Sequence, residues 1–173
     1  MKKSLRENSS GYTLVELLIV VSIIGLISLV SVPSFIVMFR SAKMKTSLQN
    51  FSADLRGARQ AAISKNLRTR VSFDTGLTGT RAYSVWLETK DSTSGVATWT
   101  KTVDRNLELP IYFSSTTFTD DDLDGLNDVI FLPNGTIDKY PVAGGSVTLT
   151  TDQKITPNVR VFTFKISGQF TVN

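Results

Sequence analysis

G-Y-T-L-V-E-L-L-I-V-V-S-I-I-G-L-I-S-L-V-S-V-P-S-F, residues 11–35, is the stretch that decides the fold. The apolar run continues to Phe39, and among the 28 residues from Tyr12 to Phe39 the only charge is Glu16. About 20 apolar residues in a helix suffice to cross the hydrocarbon core of a bilayer. The composition therefore predicts a membrane helix, and the acid inside it is the anomaly. A charged side chain there costs about 2.5–3.5 kcal/mol on insertion scales, so Glu16 reads as a functional residue awaiting a partner. A secretory signal peptide would place small cleavage residues after the apolar run. The far end reads L-V-S-V-P-S-F-I-V-M-F-R and offers no such pattern. Basic residues flank the run on both sides, Lys2, Lys3 and Arg6 before it and Arg40, Lys43 and Lys45 after it. Charge bias therefore leaves the orientation open.

Beyond Pro33 the run gives way to an amphipathic pattern. Met44, Leu48, Phe51, Leu55, Ala58 and Ala62 recur at steps of three and four, one face of a helix. The simplest reading is one helix over residues 12–66, kinked near Pro33, where the ring removes a backbone donor. At 1.5 Å per residue it would be about 80 Å long, more than a membrane needs. The second half is expected to lay its stripe on a globular domain, and Asn66 to end the helix, since Asn tolerates the left-handed cap position.

From Leu67 the period changes to strands and turns. Residues 70–73, 81–87, 98–103, 129–132, 146–150, 159–166 and 169–172 are short runs of β-formers separated by turn clusters. Trp99 is available to bury, and Pro110 interrupts any strand over residues 107–113. The chain is thus expected to be α+β: a long N-terminal helix, membrane-spanning in its first half, packed on an antiparallel β-sheet or small sandwich.

Composition narrows the chemistry. The 173 residues include no cysteine and no histidine. That removes disulfide staples, Ser-His-Asp and Cys-His nucleophile systems and His-rich zinc sites, so no enzyme is expected. Between Arg40 and Arg70 eight basic residues face one acid, Asp54. Such a stripe can bind anionic lipid or nucleic acid, or be the solvated or filament-lining face of a long helix.

Residues 120–128, D-D-D-L-D-G-L-N-D, carry metal-like spacing. Asp120, Asp122, Asp124, Gly125 and Asp128 fall at positions 1, 3, 5, 6 and 9 of an EF-hand-like loop, with the Leu126 carbonyl at position 7. Position 12 is Phe131 and not a bidentate glutamate, which excludes the standard EF-hand. Two readings stand: a structural Ca²⁺ site closed by another carboxylate, or a solvated acidic loop.

The N-terminal features together resemble the leader and helix of type IV pilins and type II secretion pseudopilins. Those features are a short basic leader, the Gly11-Tyr12 junction, Glu16 five residues into the chain that follows, the apolar run, and Pro33. The resemblance implies cleavage by prepilin peptidase after Gly11, N-methylation of Tyr12, and a Glu16 that neutralises the Tyr12 amine on a neighbouring subunit. It implies a single-pass protein of the bacterial inner membrane, its domain outside the cytoplasm. From there it would pass through an inner-membrane assembly platform into a filament of pilin or pseudopilin subunits. The parts would be a leader at 1–11, a transmembrane and assembly half at 12–39, an amphipathic half at 40–66 and a β-rich domain at 67–173.

A second resemblance covers the rest. F-S-A-D-L-R-G-A-R-Q-A-A-I-S-K-N at residues 51–66, running into R-V-S-F, is similar to the GspH/FimT family of minor pseudopilins and minor pilins. F-L-P-N-G at 131–135 and F-K-I-S-G at 164–168 match the same pattern. Asp54, Arg56 and Arg59 lie off the apolar stripe and are expected to make structural salt bridges. FimT-like members that take up DNA carry G-R-x-R in the C-terminal tail, where this chain has Gly168-Gln169-Phe170-Thr171. Without those cations the largest affinity term for DNA is missing there. A DNA- or surface-binding tip subunit, using the basic helix or C-terminal strand, is the alternative to a structural pilin or pseudopilin.

Overall fold

The computed structural model describes residues 11–75, 81–90, 97–108, 110–120, 124–151 and 158–173. Helix α1 runs Leu14–Lys65. Its start is capped by Thr13, whose hydroxyl oxygen accepts the N–H of Glu16 at 3.2 Å. T-x-x-E is the capping-box order, and an acid in the first turn also faces the positive end of the helix dipole. At the other end Asn66 takes φ 52°, and the N–H of Leu67 reaches back to the carbonyl of Ala62 at 3.3 Å. That is the left-handed terminus expected of Asn66.

Among the described residues no single helix is long and apolar enough to cross a membrane. The segments Leu14–Leu29 and Ser34–Lys65, taken together across a bend, pass by length and composition. The residues between them include Pro33, where the kink was expected. Contacts divide the chain into two units, Met1–Phe39 and Arg40–Asn173. In the first, α1 is apolar on every side, with 19 large hydrophobic residues exposed among the described residues between Tyr12 and Phe39. Such a surface requires an apolar surrounding. Ser22 and Ser28 return their hydroxyl protons to the carbonyls of Leu18 and Ile24, both at 2.8 Å.

In the second unit the described residues form eight strands in two four-stranded sheets. One holds β1 (Thr69–Phe73), β2 (Ala82–Lys90), β3 (Ala97–Asn106) and β5 (Asn127–Phe131), in the order β3-β2-β1-β5. The other holds β4 (Ile111–Thr116), β6 (Gly145–Thr151), β7 (Val159–Phe164) and β8 (Phe170–Val172), in the order β4-β6-β7-β8. All named strand pairs are antiparallel. Pro110 lies outside the strand expected around it, which begins at Ile111.

The apolar stripe of α1 enters the core as its spacing predicts. Met44, Phe51, Leu55, Ala58 and Ala62 are buried and Leu48 is partly buried against them. Phe51 meets Tyr83 edge-on at 5.0 Å from the first sheet, and Phe113 at 5.1 Å and Phe162 at 5.0 Å from the second. One helix ring therefore joins both sheets. Each such pair adds about 0.5–1.5 kcal/mol beyond area burial. Polar contacts set the helix against the strands: the Thr69 hydroxyl donates to the Ala58 carbonyl at 2.8 Å, and Ser47 accepts the Glu108 N–H at 3.2 Å.

Candidate functional site

Gly11, Tyr12 and Glu16 stand together at the start of the first unit. Gly11 and Tyr12 precede α1, Tyr12 is 86% exposed, and Glu16 occupies the first turn, also exposed. The junction and the acid are thus accessible at one helix end, while residues 17–39 carry no charge. The side chain of Pro33 lies outside the described residues.

Of the acidic loop, Asp120 and residues 124–128 are described. Asp120 accepts the N–H groups of Asp124 and Gly125 at 3.2 and 2.9 Å, and Asp124 accepts that of Leu126 at 2.9 Å. These are local turns, in which Asp side chains substitute for backbone acceptors. Asp128 is already in β5, opposite Ser72, and its side chain is 0% exposed. It accepts the Ser72 hydroxyl at 2.6 Å and lies 3.7 Å from the guanidinium of Arg70. Asp128 therefore does not face the loop as a ninth-position ligand, because strand alternation turns it onto the Arg70 face. Among the described residues no group of three carboxylates is gathered for a metal ion, and Asp122 lies outside them.

The basic stripe is also divided among tasks. Arg70 is buried with Asp128, its guanidinium 5.3 Å from the Trp86 ring and 5.1 Å from the Trp99 ring. Arg68 stacks over Trp99 at 5.6 Å while pairing with Glu88 at 2.7 Å, and the Lys101 amine lies 5.0 Å from Trp86. The outcome is a ladder of alternating cations and indoles across β1, β2 and β3. Trp99 is only half-buried, beneath arginines, and not in the core. Asp54 makes the salt bridge expected of it, to Arg105 at 2.7 Å, and accepts the Tyr83 hydroxyl at 2.8 Å. Burial, and then this hydrogen bond, hold the Tyr83 hydroxyl well above the usual phenol range.

Arg59 makes contacts that helix spacing did not reveal. Its Nε donates to the carbonyl of Gly135 at 3.0 Å and its Nη2 to that of Ser167 at 3.1 Å. It thus clamps both glycine turns, 131–135 and 164–168, to the helix. Gly168 packs so closely that a Cβ there would lie 2.2 Å from the Gly135 carbonyl oxygen. The two turns recognised separately in sequence are one structural knot. Arg56 lies over the Phe170 ring at 5.4 Å. The two faces of α1 around these residues leave a groove of about 410 Å³ against β8, lined by Arg56, Arg59, Gln60, Lys165, Gln169 and Phe170.

The knot and the N-terminal junction coincide with two family signatures. Residues 6–32 match the prokaryotic N-terminal methylation motif, and residues 47–169 match the type II transport protein GspH. The chain belongs to the GspH family. Among solved structures, the minor pseudopilin EpsH of the Vibrio cholerae type II secretion system aligns with TM-score 0.52 at 14% identity, covering 76% of this chain and 93% of EpsH. The type IV minor pilin FimU of Pseudomonas aeruginosa aligns with TM-score 0.49 at 14% identity, covering 75% and 91%. Those likenesses are of fold, and the fold of this GspH-family chain is type IV pilin-like. A comparison with curated protein sequences finds no match.

Proposed function

We propose that this GspH-family chain is a structural minor subunit, cut after Gly11 by prepilin peptidase and N-methylated at Tyr12. Its apolar half-helix holds it in the inner membrane as a single span, with residues 40–173 outside the cytoplasm. An inner-membrane assembly platform then moves it into a type II secretion pseudopilus or a type IV pilus. The observation that carries this reading is the methylation motif over residues 6–32, set on a helix whose segment from Leu17 to Phe39 exposes mostly large apolar side chains and no charge. Glu16 supplies the assembly chemistry: its carboxylate neutralises the Tyr12 amine of a neighbouring subunit. In a low-dielectric filament core that pair forms only where both charges are present, since a lone buried charge costs several kcal/mol.

Intact mass of the protein recovered from filaments tests the reading. A chain beginning at Tyr12 and carrying one added methyl group is expected, and Gly11→Leu should accumulate uncut. A filament-borne chain that retains residues 1–11, or begins after Pro33, contradicts it. Glu16→Val should still insert in the membrane, because losing the acid eases insertion, but should enter filaments poorly. Incorporation at the wild-type level would remove the pairing argument.

Nucleic acid is not among the proposed partners. Arg68 and Arg70 are engaged with the indole ladder, and residues 168–171 carry no cation.

A further inference from the structure

β8 ends its sheet. Its register with β7 pairs Phe162 with Val172, Thr163 with Thr171 and Phe164 with Phe170. Asn173 and Val161 exchange both backbone hydrogen bonds at 3.0 Å, and Lys165 donates to Gln169 at 2.8 Å. Antiparallel pairing alternates, so Gln169, Thr171 and Asn173 turn their backbone groups to β7, and Phe170 and Val172 turn theirs outward. Among the described residues these outward groups find no partner.

Proteins protect such edges with charges, prolines or bulges. β3, at the end of the other sheet, follows that rule with Lys101, Asp104 and Arg105. β8 reads Phe-Thr-Val: its shortness is one way of blunting an edge, but it carries no charge, proline or bulge. Its open edge borders the 410 Å³ groove, whose other wall is α1. The lining includes three cations, Arg56, Arg59 and Lys165, and no carboxylate. Arg59 is held by the two turn carbonyls, whereas Arg56 and Lys165 are exposed.

We propose that the groove between α1 and β8 receives an extended acidic segment of a partner protein, added as a further strand on β8. Main-chain hydrogen bonds to Phe170 and Val172 supply affinity, and alternate acidic side chains facing Arg56 and Lys165 supply selectivity, the division of labour in strand addition. The segment must be extended, because an edge strand pairs only with backbone in β geometry. It must be acidic, because the groove offers cations alone. This rests on the second unit by itself and stands whether or not the filament reading holds.

The test uses the full chain in detergent micelles and a fluorescent peptide of alternating glutamate and valine, followed by anisotropy. Saturable binding is expected, with slowed amide hydrogen exchange at Phe170 and Val172. Arg56→Glu with Lys165→Glu should weaken binding at least tenfold, about 1.4 kcal/mol. Val172→Pro should do the same, because it removes an outward N–H while the β7 ladder keeps its bonds through Thr171 and Asn173. Circular dichroism and the melting temperature confirm that each variant is folded. If Val172→Pro misfolds, hydrogen exchange in the wild-type chain decides. Absence of saturable binding, binding without slowed exchange at both amides, or binding indifferent to a folded Val172→Pro overturns the proposal. So does preferential, competing binding of a single-stranded DNA oligomer, which would make the groove a phosphate site.

Discussion

Gly168→Ala tests whether Arg59 and the two glycine turns act as one unit. Gly168 has φ 76°, a conformation that costs an alanine about 1–2 kcal/mol. The added Cβ would also stand 2.2 Å from the Gly135 carbonyl oxygen and 2.8 Å from Arg59 Nε. Backbone cannot yield as a flexible side chain does, so the turns must part. Parting them breaks the bond from Arg59 to Gly135, and a hydrogen bond to a charged group contributes about 1.5–3 kcal/mol. The expected loss is about 3–5 kcal/mol, a fall of about 10 °C or more in melting temperature for a domain of this size. Guanidinium unfolding followed by the fluorescence of Trp86 and Trp99 measures it, since both indoles lie on the other sheet and report global loss of structure. Arg59→Met should lose about 2–4 kcal/mol by the same bonds. The double variant should then cost less than the two losses added, by about 0.5–3 kcal/mol. Additive losses, or a Gly168→Ala loss below about 1 kcal/mol, refute the clamp.

Tyr83 makes stability sensitive to alkali. Its folded pKa is raised, so its contribution is full below the unfolded value of about 10 and is lost as pH rises above it. The guanidinium midpoint should therefore fall above about pH 10, and Tyr83→Phe should flatten that fall; an unchanged slope counts against it. In the acidic loop, Ca²⁺, Mg²⁺ and NaCl should stabilise alike by relieving Asp repulsion. Asp122→Ala with Asp124→Ala should be more stable than the wild-type chain without metal. A rise in melting temperature specific to Ca²⁺ and lost in that double variant would establish the calcium site.

The long elements were legible because their signals are local. Helix spacing identified the core stripe from Met44 to Ala62, and Asn66 marked the helix end. Most strands appeared as short β-forming runs, with boundaries moved by a few residues. What escaped depended on register between distant segments. Nothing local says that β4 leaves the first sheet for the second, or that Arg59 meets carbonyls 76 and 108 residues away. The direction of Asp128 is hidden for the same reason. Its loop spacing was genuine, but β5 begins at Asn127, and pairing with Ser72 fixes which way Asp128 points. The indole ladder has no local signal: Trp86 and Trp99 meet their cations only once β1, β2 and β3 are aligned.

Because Ser22 and Ser28 spend their hydroxyl protons on Leu18 and Ile24, residues 17–29 carry their polar bonding complete within the helix. Moving this segment from lipid tails to neighbouring helices need break none of those bonds. Two apolar media then differ for it chiefly in dispersion contacts and in what each offers Glu16. The segment behaves as a cartridge, self-contained along its length and keyed by one carboxylate at its end. On the proposed reading, it comes to rest where that carboxylate is supplied with a cation.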